Sequence, residues 1–319
     1  MSKLLIYIPA YNEEETIYQV IKSIPLKING IEEIVIIVVN DGSTDKTEKI
    51  ALSTNTIVLN HRYNKGVGAA FQTAVEYALQ IKTDFLISID ADGQFDVNQI
   101  EELLNPIINN VSDFCIGNRF YRKIPLKMPK IKYWGNMQVN KIISFVSKTK
   151  IYDASCGFRA YSRECLLNLN LNGNFTYTHE TILDLINKGF KVCQLPINVK
   201  YFDNRTSRVA DNILNYAFKT SKIIIKYLKD YAPFYFFISI ALFIFSLALI
   251  LSGFVFYHWI NSGSITPYKS LGIFSLALLG MSLIVATLAL IADMLGRIRQ
   301  NQEKILYLLK KSNFDKTDN

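Results

Sequence analysis

Two kinds of hydrophobic pattern divide the chain. Up to about residue 205 the apolar residues come in short, β-branched runs: Lys3 to Ala10 (KLLIYIPA), Glu32 to Asn40 (EEIVIIVVN), Thr56 to Asn60 (TIVLN) and Asp84 to Asp90 (DFLISID). Each has the length of a strand. Helix-length segments lie between them, Glu14 to Ile24, Asp45 to Leu52 and Val67 to Ile81. Strand alternating with helix predicts an α/β domain on a mostly parallel sheet. Ligands of such sheets sit beyond the carboxyl ends of the strands, and the polar motifs of this chain fall there.

Further on the pattern changes. No Asp, Glu, Lys or Arg occurs from Ala232 to Tyr268, and Pro233 to Trp259 is apolar almost throughout. A second uncharged run, Leu271 to Ala292, follows the turn-rich NSGSITPYKS. At 1.5 Å per residue either run crosses a hydrocarbon core of roughly 30 Å. The alternative is a pair of buried core helices, but these rarely stay apolar all round for so long. The expectation is a C-terminal α-helical transmembrane hairpin.

Basic residues flank the hairpin. Lys219, Lys222, Lys226 and Lys229 precede it, Arg297, Arg299, Lys304, Lys310 and Lys311 follow it, and Lys269 alone lies in its loop. The positive-inside rule then places both termini, and the α/β domain, in the cytoplasm of a cell with two spans in its membrane. The spacing of the first four lysines stacks them on one helix face, opposite Ile213, Leu214, Phe218 and Ile224, as in a helix lying on a membrane surface. Residues 297–311 also read as helical, with a partial apolar stripe suited to self-association as a homo-oligomer. The expected organisation is therefore residues 1–209 as the α/β domain, 210–231 as an interface helix, 232–293 as two spans and 294–319 as a cytoplasmic tail.

Composition narrows the function. Half of the residues are apolar, which excludes a disordered chain. Thirty-five Lys and Arg against 27 Asp and Glu leave a net charge of +8, which calls for an anionic partner. Nucleic acid is not expected, because the basic stretches border apolar spans and carry no DNA or RNA motif. Cys115, Cys156, Cys165 and Cys193 lack CxxC spacing and no apolar leader stands at the N-terminus, so neither disulfides nor secretion are expected.

The chemistry sits in motifs at strand ends. The first strand runs into Pro9-Ala10-Tyr11-Asn12-Glu13-Glu14, the second into Asn40-Asp41-Gly42-Ser43-Thr44-Asp45, and the fourth into Asp90-Ala91-Asp92-Gly93-Gln94-Phe95-Asp96. Taken alone, Asp45 is a helix cap and Gly42 a turn residue. Alternate carboxylates after a strand, however, can face one cleft and offer hard oxygen ligands to Mg²⁺ or Mn²⁺ shared with a diphosphate. Residues 119–150 hold nine Lys or Arg and no Asp or Glu, a stretch suited to a lipid phosphate and anionic headgroups.

Six segments in order, PAYNEE, NDGSTD, NKGVGAA (Asn64 to Ala70), DADGQFD, GNR (Gly117 to Arg119) and CGFRAY (Cys156 to Tyr161), resemble the family 2 glycosyltransferases of GT-A fold. Within that family the chain is most similar to the polyprenyl-phosphate glycosyltransferases of the dolichyl-phosphate mannose synthase type, over residues 3–210, and its hairpin is similar to that of bacterial and archaeal members. The resemblance implies a Rossmann-like, mostly parallel sheet and a nucleotide-sugar donor. It assigns the donor nucleotide to Pro9, Tyr11, Glu13, Asp41, Asp90, Ala91 and Asp92. It assigns the metal, Mg²⁺ or Mn²⁺, to Asp90, Asp92 and Gln94, and the diphosphate to Arg205 and Arg208. It assigns the acceptor phosphate to Arg119, with Lys132 a second candidate, and makes Asp92 and Arg119 the catalytic pair.

A polyprenyl phosphate is anionic at neutral pH, so its oxygen needs no strong general base, whereas a hydroxyl acceptor does. Asp92 or Glu180 would serve that second case, and His179 reads as a neutral residue at a helix start. The expected reaction is inverting transfer of one sugar to a polyprenyl phosphate for glycan or glycoprotein assembly. Transfer to the hydroxyl of a lipid-linked oligosaccharide or glycolipid is the alternative acceptor reading, and a non-catalytic membrane scaffold the alternative without chemistry. The Gln-x-x-Arg-Trp motif of processive synthases is absent, with Trp only at positions 134 and 259, which fits a single transfer.

Overall fold

A computed structural model of the chain describes residues 2–121, 128, 130–171, 177–200, 222, 225, 228–229 and 231–315. They form two compact units, residues 1–223 with 306–319, and residues 224–305. Arg205, Arg208 and most of the expected interface helix, Lys219 and Lys226 included, lie outside the described residues, as do Arg122, Lys123 and Lys127.

The first unit alternates strand and helix: β1 (Lys3–Ala10), α1 (Ile17–Ser23), β2 (Glu33–Asn40), α2 (Thr47–Leu52), β3 (Ile57–Asn60), α3 (Val67–Gln80), β4 (Phe85–Ser88), α4 (Ile100–Ile108), β5 (Phe114–Asn118), α5 (Lys130–Ser147), β6 (Arg159–Ser162), α6 (Arg163–Asn168), α7 (Thr178–Asn187) and β7 (Val192–Pro196). Among the described residues the strands form one sheet in the order β3-β2-β1-β4-β6-β5-β7. All neighbours are parallel except β6, which runs antiparallel to both β4 and β5. The mostly parallel α/β sheet expected from the sequence is therefore present. Leu4 through Ile8 are all fully buried, which explains why β1 reads as a continuous apolar run and not an alternating one.

Element boundaries shift where tertiary contacts compete with local pattern. α1 begins at Ile17 and not at Glu14, because the backbone N–H groups of Glu13 and Glu14 donate across to Thr47 Oγ1 (2.7 Å) and Asp45 Oδ2 (3.2 Å). β4 stops at Ser88, two residues short of Asp90, where its pairing with Arg159 of β6 ends. At the C-terminus, Lys310 Nζ donates to the carbonyl of Leu169 (2.7 Å) and to Asn170 Oδ1 (3.2 Å), so residues following 305 pack with the α/β unit.

The second unit carries α8 (Pro233–Ser262), closed by a left-handed Gly263, and most of α9 (Lys269–Asp315). α9 runs unbroken from the second apolar stretch through residues 297–311, so the expected tail and second span are one helix. Both helices are long and apolar enough to cross a membrane, and their large side chains point outward: Phe243, Ile250, Leu276 and Leu283 are about two-thirds exposed. A buried core helix would show the reverse. Past Pro233 at the start of α8, the buried positions are small and seven residues apart, Ala241, Ala248 and Val255 on α8 and Ser275, Ser282 and Ala289 on α9. Gly272 approaches Val255 along this seam, the close packing typical of apolar helix pairs without a hydrophobic driving force.

Candidate active site

The polar motifs converge at the carboxyl ends of β1, β2, β4 and β5. At the first two tips the chain is cross-braced. Asn12 adopts φ 52° and accepts the Thr44 N–H on its side-chain oxygen (2.8 Å), while its own N–H donates to Ser43 Oγ (3.0 Å). Pro9 and Ala10 are the last residues of β1, and Tyr11 is exposed beside them. Asp45 accepts from the Thr47 N–H (3.0 Å), as a cap would.

Asp41, which is buried, takes His61 Nδ1 (2.7 Å) and the Lys65 N–H (2.9 Å) on one oxygen and the Gly66 N–H (2.8 Å) on the other. His61 Nε2 lies 3.0 Å from Thr73 Oγ1, whose hydroxyl donates to Ala69 O. Gly42 has φ +72°, and a Cβ there would stand 2.6 Å from the Tyr63 carbonyl carbon. The turn after β2 and the loop from His61 to Gly66 are thus locked face to face, and only glycine permits the approach.

At the end of β4 the situation is different. Burial and the neighbouring Asp92 push Asp90 up to about 7, against the opposing pull of Arg119 and Arg159. Burial also raises Asp92, opposed by the Gln94 N–H that it accepts (3.0 Å), by Lys132 and by Arg119. Two carboxylates share one poorly hydrated place. The wall behind Asp90 is the backbone of Gly157, where a Cβ would stand 2.8 Å from both carboxylate oxygens. Ser88 Oγ and the Tyr177 hydroxyl both donate to the Gly157 carbonyl and hold that wall in position.

Arg119, just past β5, is held by Asp153. Its Nε and Nη2 donate to the two carboxylate oxygens (2.7 and 2.8 Å), and its backbone N–H donates to Oδ2 (3.1 Å). Asp153 is fully buried. Such a bidentate pair fixes the guanidinium plane, and from it Arg119 still lowers both Asp90 and Asp92. Lys132, on α5, is close enough to lower Asp92. The structure therefore brings Asp90, Asp92, Arg119 and Lys132 into one electrostatic cluster.

His179 lies in the first turn of α7, fully buried, its Nε2 3.3 Å from Ser155 Oγ. Burial and Arg159 depress it to about 3, so it is neutral, as its place at a helix start suggested. Glu180 follows it, half-buried. Among the described residues no group of three His, Cys, Asp or Glu side chains forms a metal cage. The four cysteines are free thiols.

Sequence reasoning missed His61, Asp153, Gly157 and Arg159. Arg159 is fully buried and spends its donors on Cys156 O, Thr178 O, Thr181 Oγ1 and Ala154 O, which makes it a brace for the loop behind Asp90. Gly157 and Arg159 stand inside the CGFRAY segment, and Asp153 three residues ahead of it. A buried carboxylate needed by Arg119 was the signal available.

Several curated proteins are similar over this region. The UDP-N-acetylglucosamine–dolichyl-phosphate N-acetylglucosaminyltransferase of Methanococcus voltae is 32% identical over 186 residues, covering 52% of this chain and 72% of that one. The polyprenol monophosphomannose synthase of Mycolicibacterium smegmatis is 27% identical over 235 residues, covering 69% and 86%. In three dimensions the chain resembles glucosyl-3-phosphoglycerate synthase from Mycobacterium tuberculosis, in complex with uridine-diphosphate, with a TM-score of 0.57, 20% identity, and 71% of this chain and 80% of that one covered. The complex of the same enzyme with Mn²⁺, uridine-diphosphate and glucosyl-3-phosphoglycerate aligns with a TM-score of 0.54. The signature of glycosyl transferase family 2 spans residues 5–169, more than half of the chain, and the chain is a glycosyltransferase of that family.

Proposed function

We propose that the chain transfers one sugar, with inversion, from a nucleotide-sugar donor to a polyprenyl phosphate at the cytoplasmic face of a membrane that α8 and the apolar part of α9 both cross. The observation that carries this reading is the cluster at the sheet end, in which Arg119, held by Asp153, lies close enough to lower both Asp90 and Asp92, and Lys132 close enough to lower Asp92. The names of two of the curated relatives, a dolichyl-phosphate N-acetylglucosaminyltransferase and a polyprenol monophosphomannose synthase, support the acceptor class. The organisation proposed with it is a catalytic domain of residues 1–209, an interface helix of 210–231, two spans in 232–293 and a cytoplasmic tail of 294–319.

A divalent cation fits the residues present. Burial and the neighbouring Asp92 raise Asp90, and burial raises Asp92, a condition that a cation held by the two carboxylates would relieve. Asp90 and Asp92, with Gln94 whose backbone N–H already binds Asp92, would hold the cation and leave it other oxygen ligands to take, as Mg²⁺ and Mn²⁺ prefer. The structural neighbour bound to Mn²⁺ and uridine-diphosphate agrees with this chemistry. When bound, the cation stabilises the negative charge that grows on the departing diphosphate.

The chain's own groups do the rest. Pro9, Tyr11, Glu13 and Asp41 border the cleft where the nucleoside is held, with Ala91 between the two metal-binding aspartates. Arg119, oriented by Asp153, and Lys132 hold the acceptor phosphate against the anomeric carbon. One phosphate oxygen forms the new bond on the face opposite the diphosphate, whose bond to the same carbon breaks, so no proton has to be removed. Arg205 and Arg208 are proposed to grip the diphosphate.

The test is transfer of radiolabelled sugar from a panel of nucleotide donors to a short-chain prenyl phosphate by purified protein. A mild-acid-labile lipid product that requires divalent cation is expected. An acid-stable product formed only on a glycolipid hydroxyl would overturn the acceptor assignment, and failure with every donor would favour the scaffold.

A further inference from the structure

α5 is packed inside out. Its buried face carries amides and hydroxyls along with Val139 and Ile143: Asn140 donates to Tyr152 O (2.6 Å) and accepts from the Ala154 N–H (2.9 Å), while Ser144 bonds the backbone of Ile151. These hydrogen bonds fix the rotation of the helix about its axis. The face turned outward then carries Trp134, Gln138, Lys141 and Phe145, at the spacing of one helical stripe, with Ile142 on its flank. Trp134 is 61% exposed and Phe145 84%. Lys141, Lys148 and Lys150 are exposed around them, and no acidic residue occurs from Arg119 to Lys150.

We infer that this stripe is a docking surface for an anionic lipid bilayer, with Trp134 and Phe145 seated at the headgroup level and the lysines on lipid phosphates. Aromatic side chains interleaved with lysines on one face of a helix are the chemistry of the membrane interface, where an apolar body and a charged tip are both satisfied. A second copy of the chain is a poor occupant, because pairing the stripe with itself would bring like-charged lysines together with no carboxylate to offset them. A chain that already carries two helices apolar enough to cross a membrane meets the lipid surface at high effective concentration. The inference does not rest on the proposed reaction.

The two tryptophans of the chain make it testable in the intact protein. In the full chain carrying Trp259→Phe, reconstituted in vesicles of phosphatidylcholine and phosphatidylglycerol, Trp134 is the sole indole. Its emission should shift to the blue and be quenched by lipid brominated near the headgroup more than by lipid brominated at the chain end. Lys141→Gln and Lys148→Gln should each lower the ratio of docked to undocked stripe by about fivefold, corresponding to about 1 kcal/mol per lysine. The quenching should weaken in vesicles of phosphatidylcholine alone. Moving the indole by Trp134→Phe with Phe145→Trp, in the same background, should reproduce the pattern. Emission that no brominated lipid quenches would overturn the inference. So would Trp134 shielded from aqueous iodide yet insensitive to brominated lipid, the mark of a protein partner, or equal quenching with and without phosphatidylglycerol.

Discussion

Asp41 at the end of β2 and Asp90 past the end of β4 occupy comparable places in the sheet and are treated in opposite ways. Asp41 meets three donors, His61 Nδ1 and the N–H groups of Lys65 and Gly66, so its charge is answered from within the protein. Asp90 is backed by the Gly157 backbone and has Asp92 as a neighbour, and despite Arg119 and Arg159 its affinity for a proton rises to about 7. A satisfied carboxylate braces a loop, whereas a frustrated one stores unfavourable energy that a bound cation can release. One tip is therefore built as architecture, and the other suits the proposed chemistry.

Removing a carboxylate from each tip should separate the two roles. Asp92→Ala should lower transfer on the order of 1000-fold or more while the folded protein remains in the membrane at its usual amount, because one proposed metal ligand is lost and little packing with it. Excess chelator on the unaltered protein should mimic it, and labelled product counted against membrane-extracted protein checks both. Asp41→Ala should instead cost roughly 2–4 kcal/mol of stability by taking the shared acceptor away from three part-buried donors. Denaturant unfolding measures that loss, and faster amide exchange at Lys65 and Gly66 locates it.

The pH dependence sharpens the contrast. Because folded Asp90 holds its proton up to about 7 while the unfolded chain releases it near 3.8, the folded state binds the extra proton between those values. Its contribution to stability is full below about pH 4 and is lost as pH rises through about 7. In chelator, the melting temperature of Asp90→Asn should therefore gain on that of the unaltered chain as pH rises from about 5 to about 8, and added Mn²⁺ should narrow the gap for the unaltered chain alone.

The smallest effect is expected at His61. His61→Asn shortens the reach to Asp41 and abandons Thr73, costing about 1–2 kcal/mol in unfolding experiments. If the braced loop shapes the nucleoside end of the cleft, the donor KM should rise by more than kcat falls.

What could be read in advance follows the range of the interactions. β1 was legible from Lys3 to Ala10, since five successive buried apolar residues leave little doubt about a central strand. The strand-end motifs were legible as a set, because a parallel sheet delivers the ends of neighbouring strands to one edge. The partnerships were not. His61 finds Asp41 across 20 residues and Arg119 finds Asp153 across 34, by way of strand order that no local pattern encodes. The same holds for α5: its sequence shows an aromatic and basic helix, but only the hydrogen bonds of Asn140 and Ser144 decide which face is turned out.

The most direct test of the contrast is calorimetry of Mn²⁺ binding in the presence of nucleoside diphosphate, in two buffers of different ionisation enthalpy at about pH 6. A cation held by Asp90 and Asp92, as proposed, would displace the proton that Asp90 holds. The account predicts binding accompanied by proton release in the unaltered chain and in Asp41→Asn, with release abolished and affinity reduced in Asp90→Asn. Binding of equal strength and equal proton release in Asp90→Asn would contradict it.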